Sequence, residues 1–525
     1  MDDPSEPWVR RVARNGAALL MARVTSTLAG TVTLPVLYSH LEQREFGVWV
    51  LLSGLVTLIA YADMGLGSAQ TREVARAVAS EEPRAARGVL AVGILWAACL
   101  CALAFLAVPA CWPWLAGILR LGDLASPALN AVLVLLVGFT IASITAPWRA
   151  VLEGTQRYLP VAWADGCAAM LSALLSITVV LWGGGLVALA MCVVTANAAR
   201  AFALVAVARA HAPWLTPRVR GLRRTDVKVA LRYGLPVQLT NASAAALFET
   251  DRLLLAGFVG PTAVAGFEPG SKLAHLLRLP PALIMTAMFP QAATTAAAHE
   301  PARLNRLYLT LTRYVAVFAA VALAAMVVAA DPLIRLWLGT SVPLAVMTLV
   351  TLSIGNAFHV TAVAAAIVTR AEGQPARETR YAVVAAALNL ALTIPLIALL
   401  GPVGAPLSTA VAISTATGYF FLHFHRSSKR RILPLLRVLW PPALAAAAAG
   451  FLVWMATPYL PDGAGRGGAA VAVMCRGGLV VLLAGAFLLA LRYFSAADRA
   501  WVRAALSRPR QRRAVTPAAR EASHR

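Results

Sequence analysis

The sequence predicts an all-α polytopic membrane protein, and three observations carry that prediction. Apolar residues make up 60% of the 525 residues, and charged residues only 13%. Soluble proteins have about 45–50% apolar and about 25% charged residues, so this chain carries too little charge to cover soluble domains of its length. The mean hydropathy is +0.73, and long apolar stretches recur from end to end. The surface that these residues form therefore faces lipid.

Fourteen apolar stretches are long enough to cross a bilayer, since about 20 residues span the hydrocarbon core as a helix. We expect one helix from each stretch. Their bounds in the sequence are 15–39, 46–68, 88–110, 128–148, 160–182, 186–208, 233–258, 264–290, 308–330, 342–369, 381–400, 404–422, 438–457 and 469–491.

The distribution of basic residues predicts the orientation of these helices. Alternate connections, together with both tails, carry 36 of the 46 Lys and Arg residues, whereas the opposite connections carry four and the stretches themselves six. The positive-inside rule places the basic set in the cytoplasm, so we expect both termini there, in a multi-pass protein of the bacterial plasma membrane. Because the cations are spread over every cytoplasmic loop instead of gathering in one patch with aromatic partners, the formal net charge of +23 does not indicate nucleic-acid binding.

Several chemistries find no support in the sequence. The six cysteines form no CxxC pair, and none of the three lysines stands in a GxxxxGK[ST] phosphate loop. The predicted outward connections are shorter than about 20 residues, too short for a catalytic domain. We therefore expect no enzyme activity, catalytic residues, cofactor or metal site.

An internal repeat predicts how the helices are organised. A shift of 218 residues places Arg14-Asn-Gly16 on Arg232-Tyr-Gly234, both at the entry to a long helix. Transporters are often built from such duplications. The domains that we expect are two pseudo-symmetric six-helix lobes (1–208 and 233–422), a basic cytoplasmic linker (209–232), an extra helix pair (423–491) and a basic cytoplasmic tail (492–525).

Short motifs resemble those of a known family over about residues 14–422. They are Glu45-Phe-Gly-Val-Trp49, Ala62-Asp-Met-Gly-Leu-Gly-Ser-Ala69, Asp251-Arg-Leu-Leu-Leu-Ala-Gly257, Gly260-Pro-Thr-Ala-Val264 and Gly401-Pro-Val-Gly-Ala405. The chain resembles the oligosaccharidyl-lipid flippases, polysaccharide exporters of the multidrug/oligosaccharide/polysaccharide exporter superfamily that are related to the lipid II flippase. The resemblance implies alternating-access transport of undecaprenyl-diphosphate-linked oligosaccharide to the outer leaflet, for cell-surface polysaccharide synthesis.

Other functions stay open at this point. A multidrug or cation efflux antiporter of the same superfamily would need an acidic cavity, whereas the charges within these stretches lean positive. A non-transporting or enzymatic component of envelope polysaccharide assembly is a further alternative. For the flippase we expect membrane lipids, the lipid-linked oligosaccharide, a polysaccharide polymerase and other envelope-assembly proteins as partners, no nucleic acid, and function as a monomer.

Charged residues inside the predicted helices are the candidate site, because each costs about 2.5–3.5 kcal/mol at the bilayer centre. Arg23, Lys272 and Arg278 are expected to bind the diphosphate, since cations replace its hydration and guanidinium binds phosphate bidentately. The gating or coupling candidates are Asp63, Glu249, Asp251, Arg252, Glu268 and His275.

Several of these candidates also have a purely structural interpretation. Lys272 could pair with Glu268 at i, i+4, and Glu249 could pair with Arg252 at i, i+3. Asp63 stands beside glycines that permit close helix packing, and Asp165 is expected to be an interfacial cap. Pro280-Pro281 predicts a bend in the helix of Lys272.

Overall fold

The computed structural model describes residues 8–63, 65–80, 82–218, 222–374 and 376–493. Within them the chain forms nineteen α-helices, joined by short turns and four 3-10 segments. The helices are α1 (Trp8–His40), α2 (Gln43–Ala60), α3 (Leu66–Ser80), α4 (Pro83–Ile118), α5 (Ala125–Gly154), α6 (Tyr158–Leu181), α7 (Leu186–His211), α8 (Arg224–Phe248), α9 (Thr250–Phe258), α10 (Pro261–Leu276), α11 (Leu279–Ala297), α12 (Pro301–Val328), α13 (Ala330–Leu338), α14 (Pro343–Val360), α15 (Val363–Ala371), α16 (Ala376–Leu400), α17 (Gly404–Ser427), α18 (Leu433–Ala456) and α19 (Gly465–Ala490). All but two residues of the tail expected at 492–525 lie outside the described residues.

The protein is an all-α polytopic membrane protein. In the described part of the chain, eleven helical stretches are long and apolar enough to cross a membrane, or twelve when one bent pair counts as a single span. This number is below fourteen partly because Ala376–Ser427 is one continuous 52-residue stretch that contains both α16 and α17. In addition, a break at Glu249 divides the stretch expected at 233–258 between α8 and the nine-residue α9.

Three of the helices that the sequence predicts are broken. The breaks fall at Glu249, at Leu277 and at Thr361. The interruption expected near Pro280-Pro281 is present as the break between α10 and α11. A bend of 42° lies further along, between Pro261–Met285 and Ala287–Ala297, where Pro290 has no N–H to donate to the carbonyl four residues earlier.

Helix positions in the second half of the chain repeat those of the first. Four helices of the first half begin 218 residues before four helices of the second half. The pairs of first residues are Pro83 and Pro301, Ala125 and Pro343, Tyr158 and Ala376, and Leu186 and Gly404. The shift of 218 residues that aligns the sequence repeat therefore also aligns the first residues of these helices.

The hydrophobic core differs between the two ends of the bundle. We call the end that carries the arginine-rich loops 71–87, 149–159 and 209–232 the basic face, and the opposite end the short-loop face. At the short-loop face one large cluster joins both halves of the chain, with Phe46 and Leu136 packed in the same core as Phe267 and Leu349. At the basic face each half has its own cluster.

Direct backbone contact also closes the short-loop face. A Cβ at Gly47 in α2 would clash with the carbonyl of Pro261, the first residue of α10. At the basic face, a four-residue cluster links Ala230 of α8 to Leu66, Val89 and Val92. The two halves are therefore held together most extensively at the short-loop face.

Candidate functional site

Two of the predicted phosphate-binding cations lie along one face of α1. Lys272 of α10 reaches α1 at Gly30, where a Cβ would lie 3.8 Å from the lysine Nζ. Gly30 follows Arg23 by seven residues, so both positions are on the same helix face, about 10 Å apart along the axis. Arg23 therefore lies on the face of α1 that Lys272 approaches. Arg23 belongs to the first half of the chain and Lys272 to the second, so the two cations face each other's half across the interface.

Arg23 also lines a cavity of about 510 Å³ between α1, α5, α6 and α7. Arg149, Asp165 and Arg200 line it too. The Asp165 carboxylate lies 2.9 Å from Arg149 and 3.5 Å from Arg200. Three arginines and one aspartate line the cavity, so its lining is net positive, although Arg149 also pairs with Glu153 at 2.8 Å. Within the described residues, the guanidinium of Arg23 has no hydrogen-bond or ion-pair partner.

Arg278 lies at the break between α10 and α11. One of its Nη atoms is 3.4 Å from Nε2 of His359, and Nδ1 of His359 contacts the Tyr381 hydroxyl. A guanidinium only donates hydrogen bonds, so Nε2 must accept and Nδ1 carries the proton. The imidazole is then neutral. Arg278 also lies within electrostatic range of Arg23.

The pairing considered between Glu268 and Lys272 is wrong. Glu268, whose side chain is 6% exposed, places Oε2 2.9 Å from Nε of Arg252. Arg252 also contacts Glu249, as its i, i+3 spacing predicts. A planar guanidinium can bind two carboxylates at once, and Arg252 pairs with both, which leaves the group of three with one net negative charge. Lys272 is left to extend toward α1.

Asp251 is buried in the second half of the chain, 2% exposed. It accepts hydrogen bonds from Nδ2 of Asn389 at 3.2 Å, from Oγ1 of Thr393 at 3.4 Å and from the Thr409 hydroxyl. The buried Oδ1 of Asn389 has no hydrogen-bond partner within the described chain. A carboxylate beside an unsatisfied amide oxygen can take up a proton or a small cation.

The remaining two candidates occupy different surroundings. Asp63 accepts a hydrogen bond from the backbone N–H of Gly65 at 2.8 Å and so shapes the turn between α2 and α3. A Cβ at Gly65 would clash with the Gly234 carbonyl, which agrees with a packing role for this turn. His275 of α10 lies within electrostatic range of Arg278, Arg252 and Lys272.

Sequence reasoning missed part of the site. Asp165, expected to be an interfacial cap, instead joins Arg149 and Arg200. These three residues come from three helices, so no local spacing could have connected them. The polar partners of Asp251 did leave a signal, because Asn389 and Thr393 stand at i, i+4 inside an apolar stretch.

Comparison with solved structures supports the fold. The lipid II flippase MurJ in an inward closed conformation matches with a TM-score of 0.71 at 12% identity, covering 90% of this chain and 99% of its own. A multidrug resistance MATE family transporter of the MOP superfamily, inward-facing, matches with a TM-score of 0.67 at 15% identity, covering 78% of this chain and 98% of its own. A MOP superfamily transporter from Pyrococcus furiosus, described as having a binding pocket of reverse polarity, gives 0.59 at 15% identity, covering 80% of this chain and 95% of its own.

Comparison of sequences supplies the family. No curated protein matches the chain. The family model described as "Polysaccharide biosynthesis protein" matches residues 12–296, which is more than half of the chain and includes Arg23, Lys272 and Arg278. The chain therefore belongs to the polysaccharide biosynthesis protein family, and its fold is similar to that of the MurJ flippase and the MATE transporter.

Proposed function

We propose that the protein flips undecaprenyl-diphosphate-linked oligosaccharide from the cytoplasmic to the outer leaflet by alternating access. The observation that carries the proposal is the pair of cations, Arg23 and Lys272, that face the interface between the two halves without a carboxylate partner among the described residues. Unpaired cations inside a membrane protein are costly and need an anion or water. A diphosphate head supplies that anion while its lipid tail stays in the bilayer.

The topology belongs to the same proposal. Fourteen crossings result when α16 and α17 are counted separately, each broken pair (α8 with α9, α10 with α11, α14 with α15) is counted once, and the short helices α3 and α13 are left out. We assign the basic face to the cytoplasm of a bacterial cell, α1–α7 and α8–α17 to two six-helix lobes, and α18–α19 to an additional pair. MurJ covers more of this chain than the MATE transporter does, by about the length of α18–α19, which supports this count.

The diphosphate is held from both lobes in this mechanism. Arg23 approaches it from the first lobe, and Lys272 and Arg278 approach it from the second. Arginine suits this role because its donors match two phosphate oxygens at once. Rocking of the lobes then separates the short-loop core around Phe46 and Phe267 and exposes the head group to the outside.

Asp251 couples this movement to a proton or cation gradient in our proposal. It lies next to Arg252, which binds Glu249 across the break between α8 and α9 and Glu268 of α10. A change of charge at Asp251 is thereby transmitted to the helix that carries Lys272. Glu249, Arg252 and Glu268 act as gating residues, while Asp63 and His275 remain candidates for the same role.

The experiment measures transport of the lipid itself. Proteoliposomes containing the full-length protein are loaded with a fluorescent polyprenyl-diphosphate oligosaccharide, and its appearance in the opposite leaflet is followed with a membrane-impermeant quencher. We expect transport above that of empty vesicles and accumulation of a lipid-linked intermediate in the inner leaflet of cells that lack the gene. Extrusion of organic cations without movement of the lipid would instead establish the antiporter.

A further inference from the structure

A second basic cavity, of about 470 Å³, lies at the basic face and is separate from the site described above. It is enclosed by the first turn of α12, the turn between α15 and α16, and the turn between α17 and α18. Four cations line it, Arg377, Lys429, Arg430 and Arg431, against one carboxylate, Glu372. The cavity is therefore strongly positive.

Helix ends add to this positive potential. The first turns of α12, α16 and α18 all contribute lining residues: Pro301, Arg377 and Pro434. The N-terminus of a helix carries a partial positive charge and free N–H groups, which favour phosphate. Three such ends and four cationic side chains converge on one cavity.

Arg430 is held in place by its surroundings. Its side chain is 12% exposed, bonds Glu372 at 2.9 Å and stacks over the Phe424 ring at 4.8 Å. Lys429 and Arg431 on either side are exposed, and no contact holds their charges elsewhere among the described residues. Two cations are thus available to a ligand beside a fixed third one.

An apolar groove of about 950 Å³ adjoins this cavity. It follows the seam between α12 and α18. Pro434 lines the basic cavity and Leu436 the groove, less than one turn further along α18. On α12, Leu309 lines the cavity and Ala316 lines the groove. These two residues are seven positions apart and therefore lie on the same face of the helix. The exposed side chains of Trp440, Phe451 and Trp454 leave the groove open to lipid.

We infer that this seam binds an anionic phospholipid, with its phosphate in the basic cavity and an acyl chain in the groove. The cavity supplies charge complementarity for the head group, and the adjoining groove offers an apolar surface that a soluble phosphate would not use. The cytoplasmic leaflet is rich in anionic lipid, and the basic face meets that leaflet in the topology proposed above. Lipid binding at this seam does not depend on which substrate the protein transports.

The head-group part is tested by lipid titration of the purified full-length protein. Native mass spectrometry counts bound phosphatidylglycerol, with phosphatidylcholine of the same chains for comparison. We expect selective binding of phosphatidylglycerol and a loss of about thirtyfold in its affinity in the double variant Lys429→Gln/Arg431→Gln, since each basic residue near an anionic head group contributes about fivefold. The matched control, Arg303→Gln/Arg306→Gln, removes two exposed charges of α12 outside the cavity and should bind as the wild type does.

The groove is tested separately, because a soluble phosphate would need only the cavity. Ala443 and Ala447 line the groove and are exposed, so Ala443→Phe/Ala447→Phe fills it without crowding the core. We expect this variant to lose phosphatidylglycerol while inorganic phosphate has no effect on lipid binding in the wild type. Unchanged lipid binding in the groove variant, or equal losses in the cavity variant and its control, would overturn the inference.

Discussion

The two halves of the chain share a framework of helices but not its polar interior. The first half holds a cationic cavity built from Arg23, Arg149, Asp165 and Arg200. The residues 218 positions later are Asn241, Ile367, Val383 and Gly418. Every charge of the cavity is therefore absent from the corresponding place in the second half.

The second half contains a buried polar cluster that the first half lacks. Its buried polar cluster consists of Asp251, Asn389, Thr393 and Thr409. The residues 218 positions earlier are Thr33, Leu171, Leu175 and Met191. α1 is also continuous over 33 residues, whereas its counterpart is broken at Glu249. The comparison indicates that the repeat kept the helix positions while each half acquired its own chemistry, an anion site in one and a buried carboxylate in the other.

The largest expected effect comes from removing the Arg23 charge of the first half. Arg23→Ala should lower transport of the lipid-linked oligosaccharide at least about hundredfold, because loss of one partner of a desolvated charge pair costs about 2–5 kcal/mol. Arg23→Lys keeps the charge without the two-pronged donor and should retain part of the activity. The measurement is the leaflet-exchange assay at matched protein levels.

A second variant sharpens this test. Arg23→Asn/Asn241→Arg exchanges the residues at the two repeat-related positions and preserves net charge. We expect it to remain inactive, because the cation is needed beside Arg149 and Asp165. Normal transport in this exchange variant would mean that the halves are interchangeable, and normal transport in Arg23→Ala would remove the cationic mechanism.

Asp251 should matter next, and in a different way. Asp251→Asn keeps the size and much of the hydrogen bonding with Asn389 and Thr409 but removes the charge that takes up a proton or cation. We expect gradient-driven transport to fall about 5- to 150-fold, the usual range for coupling between sites, while exchange without a gradient continues. As a control, Thr33→Asp places a carboxylate at the repeat-related position of the first half. Added to Asp251→Asn, it should not restore coupling.

The charge exchange Glu268→Lys/Lys272→Glu examines the arrangement within the second half. If these residues mattered as a pair, the exchange would be neutral. Because Glu268 pairs with Arg252 instead, the exchange puts a lysine against a half-buried arginine. We expect a loss of about 2 kcal/mol in unfolding free energy, less than for an uncompensated buried charge, because the carboxylate stays one turn away. Thermal unfolding in detergent measures this loss of stability. Wild-type stability in the exchange variant would instead support a pair between Glu268 and Lys272.

Helix positions could be predicted from sequence because hydropathy and the positive-inside rule both act over whole spans. α6, predicted at 160–182, extends over Tyr158–Leu181, and α19, predicted at 469–491, over Gly465–Ala490. The breaks at Glu249 and Thr361 escaped because no proline precedes them closely. They depend on contacts with other helices, which hydropathy along one segment does not contain.

The site was predictable only one residue at a time. The cost of a charge in lipid identifies Arg23, Asp251 and Lys272 as candidates one at a time. Which groups pair is decided across helices, so Glu268 was matched with its neighbour in sequence instead of Arg252. For the same reason Asp165 was placed at an interface, although it holds two arginines together.

The smallest effect is expected from exposed ion pairs at the short-loop face, where both halves carry one. Arg44 lies 2.5 Å from Asp123 in the first half, whereas Asp462 bonds both Arg335 and Arg476 and joins α13 to α19. The hydrogen bond from Arg335, followed by that from Arg476, holds the pKa of Asp462 below its ordinary value. A lowered pKa in the folded state means that stabilisation is complete above the unfolded value of about 3.9 and disappears as the pH falls through the folded value.

The expected result is therefore a pH-dependent difference between wild type and Asp462→Asn. At pH 7 the variant should lose less than about 1 kcal/mol, as for other exposed pairs, and the two unfolding curves should begin to converge as the pH falls below about 4. Asp123→Asn is the matched control, with one partner and 76% of its side chain exposed, and should differ still less from wild type at pH 7. Unfolding monitored by tryptophan fluorescence from pH 3 to pH 7 measures both. A difference for Asp462→Asn that persists unchanged at pH 3 would show that packing, and not the ion pair, joins α13 to α19.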